Sequence, residues 1–183
     1  MSLVIAVVVN RNRDREVLDF DIETREDRPF WIAFLESLVS RGLREVKLII
    51  SDAHIGLKEA ISRVFIGIPW QRCRTHFMRN ILFQVPKKYQ GMTSTMVRTI
   101  FTADNLEEAK AQLRLVVDQL SGRLPKAVDI LINAEDEVLT YMGFPQKHQK
   151  QIYPSNVLGR LNKEIERRFN LISVIPDRLQ LSV

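Results

Sequence analysis

The chain has 183 residues, 45% of them hydrophobic and 27% charged, with a net charge of +5. That is an ordinary balance for a soluble globular protein, long enough for one domain with a sizeable core or one domain carrying an insertion. A single cysteine excludes a disulfide framework. No basic region precedes the first apolar run, and residues 3–9 are too short for a signal-peptide core with its cleavage site or for a membrane span, so the cytoplasm is the expected compartment. The positive balance leans toward a polyanionic partner.

Residues 3–9 are continuously apolar and read as a strand buried on both faces. Residues 10–14 are polar and turn-like. Residues 16–22 alternate, with Leu18, Phe20 and Ile22 on one face, which predicts a half-buried strand pairing with the first as an antiparallel hairpin. Asp27 reads as an N-cap and Pro29 sits in the first turn, where its missing N–H costs nothing. Phe30, Trp31, Phe34, Leu35, Leu38 and Val39 then form a wide apolar helical stripe that Gly42 closes.

A second β-branched run, residues 46–50, stops at Ser51-Asp52, and Leu57, Ala60, Ile61 and Val64 follow at helical spacing. An Asp at the carboxyl end of a strand, just before a helix, stands where open α/β sheets place their chemistry. Asp is also a preferred helix N-cap for the turns over residues 53–60. The local pattern leaves both readings open. A short apolar piece, residues 66–70, leads into Cys73-Arg74-Thr75-His76. One cysteine and one nearby histidine make two ligands where a zinc site wants four. The pair therefore does not read as a zinc site.

Past His76 the pattern becomes helical. Residues 77–85, 86–101, 105–120 and 125–142 each read as a helix, with breaks at Pro86, residues 102–105, 122–125 and 143–145. Asp104 is the expected cap of the 105–120 helix, whose apolar side is Leu113, Val116, Val117 and Leu120. No strand signal occurs between residues 86 and 151. In residues 153–168, Leu158, Leu161, Ile165 and Phe169 share one stripe, while Arg160, Asn162, Lys163, Arg167 and Arg168 fall elsewhere. By charge pattern alone this is a solvated amphipathic helix. Gly159 is out of place early in it, costing about 1 kcal/mol against Ala. Residues 172–183 show no clear end signal.

Several of these motifs, in this order, resemble the mutator-type transposases of bacterial insertion sequences: NRNRDREVLDFDIETREDRPFWIAFLESLVSRGL, ISDAHIGLKEAI, QRCRTHFMRNIL with PKKYQ after it, and SNVLGRLNKEIERR. The resemblance runs from about Leu3 to about Asp177. It implies an α/β chain with a partial ribonuclease H-like fold, first strand missing, and an all-helical insertion. The expected division is a partial core over 1–85, the insertion over 86–150, and a core helix with its tail over 151–183.

The family's Asp-Asp-Glu triad would hold two divalent ions, normally Mg²⁺, that activate a water or 3′-hydroxyl and stabilise the leaving oxygen in phosphodiester attack. Asp52 matches the second acid. Cys73 and His76 match the C-x-x-H motif, and Asn156 and Asn162 match the two asparagines of S-N-x-x-E-x-L-N. The Glu position of that motif is Gly159. The family's first Asp lies on a strand before residue 3, so these residues are expected to lack it and to bind Mg²⁺ poorly, if one carboxylate is all that remains. Glu164 lies about 140° round the helix from Gly159, and Glu166 about 10 Å along it; neither is expected to replace it.

A missing central strand would leave residues 3–9 and 46–50 each with an unpaired edge. Three outcomes are expected to compete: the two pair directly, a second chain supplies the pairing, or the N-terminal half folds poorly and aggregates. The DNA-contact candidates are Arg72, Arg74, Arg79, Lys87 and Lys88 around the C-x-x-H segment, and Arg160, Lys163, Arg167 and Arg168 on the last helix. The expected partners are DNA at element ends and other transposase subunits. The resulting expectation is a catalytically degenerate transposase fragment. Two others stand beside it: a non-catalytic protein that binds DNA or interferes with transposase, and a nuclease with a rebuilt metal site using Asp52 with Asp19, Asp21 or Glu166.

Overall fold

The computed structural model of the chain describes residues 2–10, 12, 14–23, 27–146 and 149. The first two strands form the expected hairpin: β1 (Ser2–Val9) pairs antiparallel with β2 (Arg15–Glu23). Asn10 closes its turn, accepting the Asp14 N–H on its side chain at 2.9 Å and donating its own N–H to the Asp14 carbonyl at 2.9 Å. The ladder slips between Ala6 and Val7, so that Ala6 faces Asp19, Val7 faces Val17, and Leu18 is the extra residue. Such a bulge breaks strict alternation. Leu18 packs toward the core with Val4 and Ala6, whereas Phe20 is 63% exposed and Val17 53% exposed. The expected common face of Leu18 and Phe20 is thereby corrected, as is the burial of the first strand on both faces, since Val9 is exposed.

Helix α1 (Arg28–Ser40) begins as read: the Asp27 side chain accepts the Phe30 N–H at 3.1 Å and Pro29 lies in the first turn. It ends in a Schellman turn. Leu43 N–H donates to the Leu38 carbonyl and Gly42 N–H to the Val39 carbonyl, both at 3.0 Å, and Gly42 takes φ +106°, a conformation open to glycine. Trp31, Phe34, Leu35 and Leu38 are buried against Val4 and against Leu57, Ala60 and Ile61 of α2 (Ile55–Val64).

The second strand pair is parallel and short. β3 (Ile49–Ser51) pairs with β4 (Trp70–Arg72) across the α2 crossover. Only the end of the 46–50 run enters the ladder. β4 had no strand signal because Gln71 and Arg72 break the apolar run. The two sheets stay separate, order β1-β2 and β3-β4. Direct pairing of the 3–9 and 46–50 runs, one of the three expected outcomes, does not occur. Both pairs nonetheless pack against the α1–α2 core, the first through Val4, Ala6 and Leu18 and the second through Ile49 and Trp70.

The helical block follows: α3 (Arg74–Phe83), α4 (Lys87–Ile100), α5 (Leu106–Ser121), α6 (Pro125–Asn133) and α7 (Glu135–Leu139), with a 3₁₀ turn at Thr140–Gly143. The 125–142 segment is thus three pieces, broken at Ala134. The cap of α5 is Asn105 and not Asp104: the Asn105 side chain accepts the Glu108 N–H at 2.9 Å, and Glu108 folds back onto Asn105 and the Asp104 N–H. Phe77, Ile81, Val97, Ile100, Leu113, Val116, Leu120, Leu131 and Leu139 fill this second core, each contributing about 1.5–3 kcal/mol by burial. Among the described residues no helix is long and apolar enough to cross a membrane.

Candidate functional site

The register of the parallel pair brings three of the sequence's candidates to one place. Ser51 stands opposite Arg72, and Cys73 N–H donates to the Ser51 carbonyl at 2.6 Å. Asp52 and Cys73 therefore leave the carboxyl ends of neighbouring parallel strands, the end where α/β units put functional groups. Asp52 is not the cap of α2. The N-cap is His54, which makes no side-chain cap bond, and Asp52 Oδ1 only accepts the His54 N–H at 3.3 Å. The structural duty that competed for this carboxylate is absent. Its main chain is fixed instead: the Ser51 hydroxyl donates to the Asp52 carbonyl at 2.8 Å and accepts from Trp70 Nε1 at 2.9 Å.

Cys73 is the N-cap of α3, and His76 follows in its first turn. Burial pushes the Cys73 thiol up, but the hydrogen bond and charge of the His76 imidazole, together with the backbone N–H groups of His76 and Thr75, outweigh it and the thiol ends below its ordinary value. The hydrogen bond with Cys73 raises His76, burial opposes this, and the charges of the thiolate and of Asp52 add to the rise while Arg79 subtracts. The C-x-x-H motif is thus an interacting pair within the electrostatic reach of Asp52.

The basic candidates divide. Arg72 has its side chain 14% exposed, lies 3.5 Å from Glu137 and stacks over the Phe77 ring. Arg74 places its guanidinium 3.6 Å from the centre of the Phe101 ring and 6.0 Å from that of Tyr141. Both point into the helical block. Arg79, Lys87 and Lys88 are exposed, on α3 and at the start of α4. Asn156, Gly159, Arg160, Asn162, Lys163, Glu164, Glu166, Arg167 and Arg168 lie outside the described residues.

Sequence reasoning missed the joint that holds this site on the helical block. Gln71 is 2% exposed. Its Nε2 donates to the Val138 and Arg72 carbonyls, both at 2.9 Å, and its Oε1 accepts the Tyr141 N–H at 2.8 Å. Glu137 pairs with Lys58 as well as Arg72, and Lys58 lies 4.4 Å over the Trp70 ring. A glutamine between Trp70 and Arg72 carries no signal of burial; only its partners, some seventy residues on, reveal it.

Among the described residues no group of three His, Cys, Asp or Glu side chains is placed to hold an ion. Asp19, one of the carboxylates considered as a substitute ligand, is engaged by Arg41. A divalent oxygen-site ion needs more than the single carboxylate of Asp52.

Residues 1–182 match the family model described as transposase, Mutator family. The chain belongs to the mutator family of transposases. Similar proteins include the transposase for insertion sequence element IS1081 of Mycobacterium tuberculosis, 36% identical over 178 residues, covering 97% of this chain and 43% of that protein. The transposase for ISRM5 of Rhizobium meliloti is 35% identical over 176 residues, covering 96% and 44%. That for IS256 in transposon Tn4001 of Staphylococcus aureus is 34% identical over 179 residues, covering 97% and 46%. The chain thus spans less than half the length of these curated relatives. Because the match to the mutator family takes in both cores, the α/β part and the helical block of this transposase chain are one family segment.

Proposed function

We propose that this chain is a DNA-binding segment of a mutator transposase, built on a partial ribonuclease H-like core with a helical insertion, and catalytically incompetent by itself. The observation that carries the reading is the position of Asp52: at the carboxyl end of β3, beside Cys73 and His76, capping no helix. That is where the second acid of an Asp-Asp-Glu triad belongs. The resemblance puts the first acid on a strand before residue 3 and gives Gly159 the place of the Glu. Asp52 is then the one matched acid within these residues, too few to retain Mg²⁺, and no reaction step is assigned to the ion here.

The phosphate contacts fall to Arg79, Lys87 and Lys88, with Arg160, Lys163, Arg167 and Arg168 as the candidates of the last segment. Arg72 holds β4 to the helical block and Arg74 packs within that block instead. DNA at element ends, further transposase subunits and a cytoplasmic setting complete the proposal. The alternative, a non-catalytic chain that interferes with intact transposase, shares the same DNA-binding surface.

Nicking of supercoiled plasmid in Mg²⁺ or Mn²⁺ tests the catalytic half, run beside Asp52→Asn and Gly159→Glu. No cleavage by any of the three is expected. Cleavage by the chain itself, abolished in Asp52→Asn, would mean a working metal site and would overturn the reading. The DNA half predicts sequence-indifferent binding that weakens steeply with salt; salt-independent binding or none would remove it.

A further inference from the structure

We propose that Phe83 is a stacking platform for a nucleobase displaced from its duplex, set within the basic surface that contacts DNA. The inference rests on the DNA-binding reading and adds to it a preference for locally unpaired DNA. Phe83 is 85% exposed at the end of α3. Its exposure follows from the helix. Phe77 and Ile81 turn into the core at 0% exposure and Val85 at 4%, and Phe83 lies about 200° round from Ile81. The backbone under the ring is therefore held by buried neighbours while the ring itself faces solvent.

The surroundings are cationic. Arg79 is one turn earlier on the same face, since positions four apart are neighbours on a helix, and it is exposed. Gln84, Lys87 and Lys88 are exposed just beyond. Among the Phe, Tyr and Trp side chains of the described residues, Phe20 is the other exposed one. Its neighbours in the strand are Asp19 and Asp21, and no Lys or Arg adjoins it in sequence. Ile66 is as exposed as Phe83, but has no π face for a base to stack on. An exposed aromatic ring flanked by phosphate-binding side chains is the arrangement by which proteins hold unpaired bases. It also serves as a wedge at a base step that has lost its stacking.

The test uses the full chain and two duplexes of equal length and sequence. One is perfect; the other carries a single bulged nucleotide, a fluorescent purine analogue. Binding is read by anisotropy and stacking by quenching of the analogue, for the chain as it stands, Phe83→Ala and Phe83→Trp. The chain should bind the bulged duplex more tightly and quench the analogue. Phe83→Ala should lose about 5- to 100-fold on the bulged duplex, leave the perfect duplex unchanged, and abolish quenching; Phe83→Trp should retain both properties. Circular dichroism checks that the exposed substitution leaves the fold intact. Salt-sensitive binding that is equal on both duplexes, or equally affected by Phe83→Ala on both, would overturn the stacking role and leave the DNA reading standing. So would a change in sedimentation with Phe83→Ala and none in DNA binding, which would make Phe83 a protein contact. No binding to either duplex would remove both.

Discussion

His76 keeps its proton to higher pH than the ordinary 6.5 because the Cys73 thiol hydrogen-bonds it, burial working against this, with the thiolate and Asp52 adding charge attraction. The sign of the consequence follows from linkage. A folded-state value above the unfolded one gives stability that is fully present below about 6.5 and is lost as pH rises through the raised value. The thiol behaves in the opposite sense: its lowered value gives stability fully present above about 9.0 and lost as pH falls through the lowered folded-state value. Cys73→Ala removes the first-named support, so the His76 titration followed by NMR should move down toward the ordinary value. The fall in unfolding free energy across the His76 window should flatten with it. An unmoved His76 titration would mean that the two side chains do not interact. The residue scale also shows why a list of basic positions is a weak guide to a DNA surface. Arg72, Arg74 and Arg79 look equivalent in the sequence, yet aromatic rings and Glu137 hold the first two inward and Arg79 is exposed.

At the scale of elements, hydrophobic periodicity carried most of the fold. The α1 stripe, the Asp27 cap, the Gly42 terminus and the helices of the block all follow from local pattern, because each is decided within a turn or two of chain. The β4 strand does not, because it is decided by its pairing with β3 across the α2 crossover, and neither the Leu18 bulge nor the break at Ala134 has a signal in the local pattern. Asp52 was legible as a strand-end acid, but its N-cap alternative was excluded only by seeing α2 begin after His54. Gln71 is the sharpest case. It joins β4 to the end of the helical block through two of its three hydrogen bonds, to Val138 and Tyr141, and buried amides of this kind cost most when a partner is removed. Gln71→Leu keeps the volume and deletes all three bonds. A loss of about 1–3 kcal/mol is expected, read as a lower urea midpoint. An unchanged midpoint would show that the joint does not depend on this side chain.

For the molecule as a whole, the two cores differ in how far they are closed. The helical block buries Phe77, Ile81, Val97, Ile100, Leu131 and Val138 completely. The α1–α2 core reaches full burial only at Ala60, with Ile61 close behind, and the strands it carries form two separate two-stranded sheets. A two-stranded ribbon is marginal without further strands or a covering layer, and here one face of the β1–β2 ribbon exposes Val9, Val17 and Phe20. Local opening is easiest where few apolar groups are buried and backbone hydrogen bonds lie near solvent. Hydrogen exchange should therefore divide the chain: amides of β1 and β2 exchanging by low-energy local opening, those of α5 protected up to global unfolding. DNA carrying a bulged base should slow exchange at the end of α3 and leave the ribbon unchanged, since the basic surface belongs to the better closed core. Equal protection of the ribbon and α5 would mean that the ribbon is closed by something beyond the described residues. It would also return the choice between a second chain and poor folding to the first of these, because an open apolar edge cannot be as protected as a filled core.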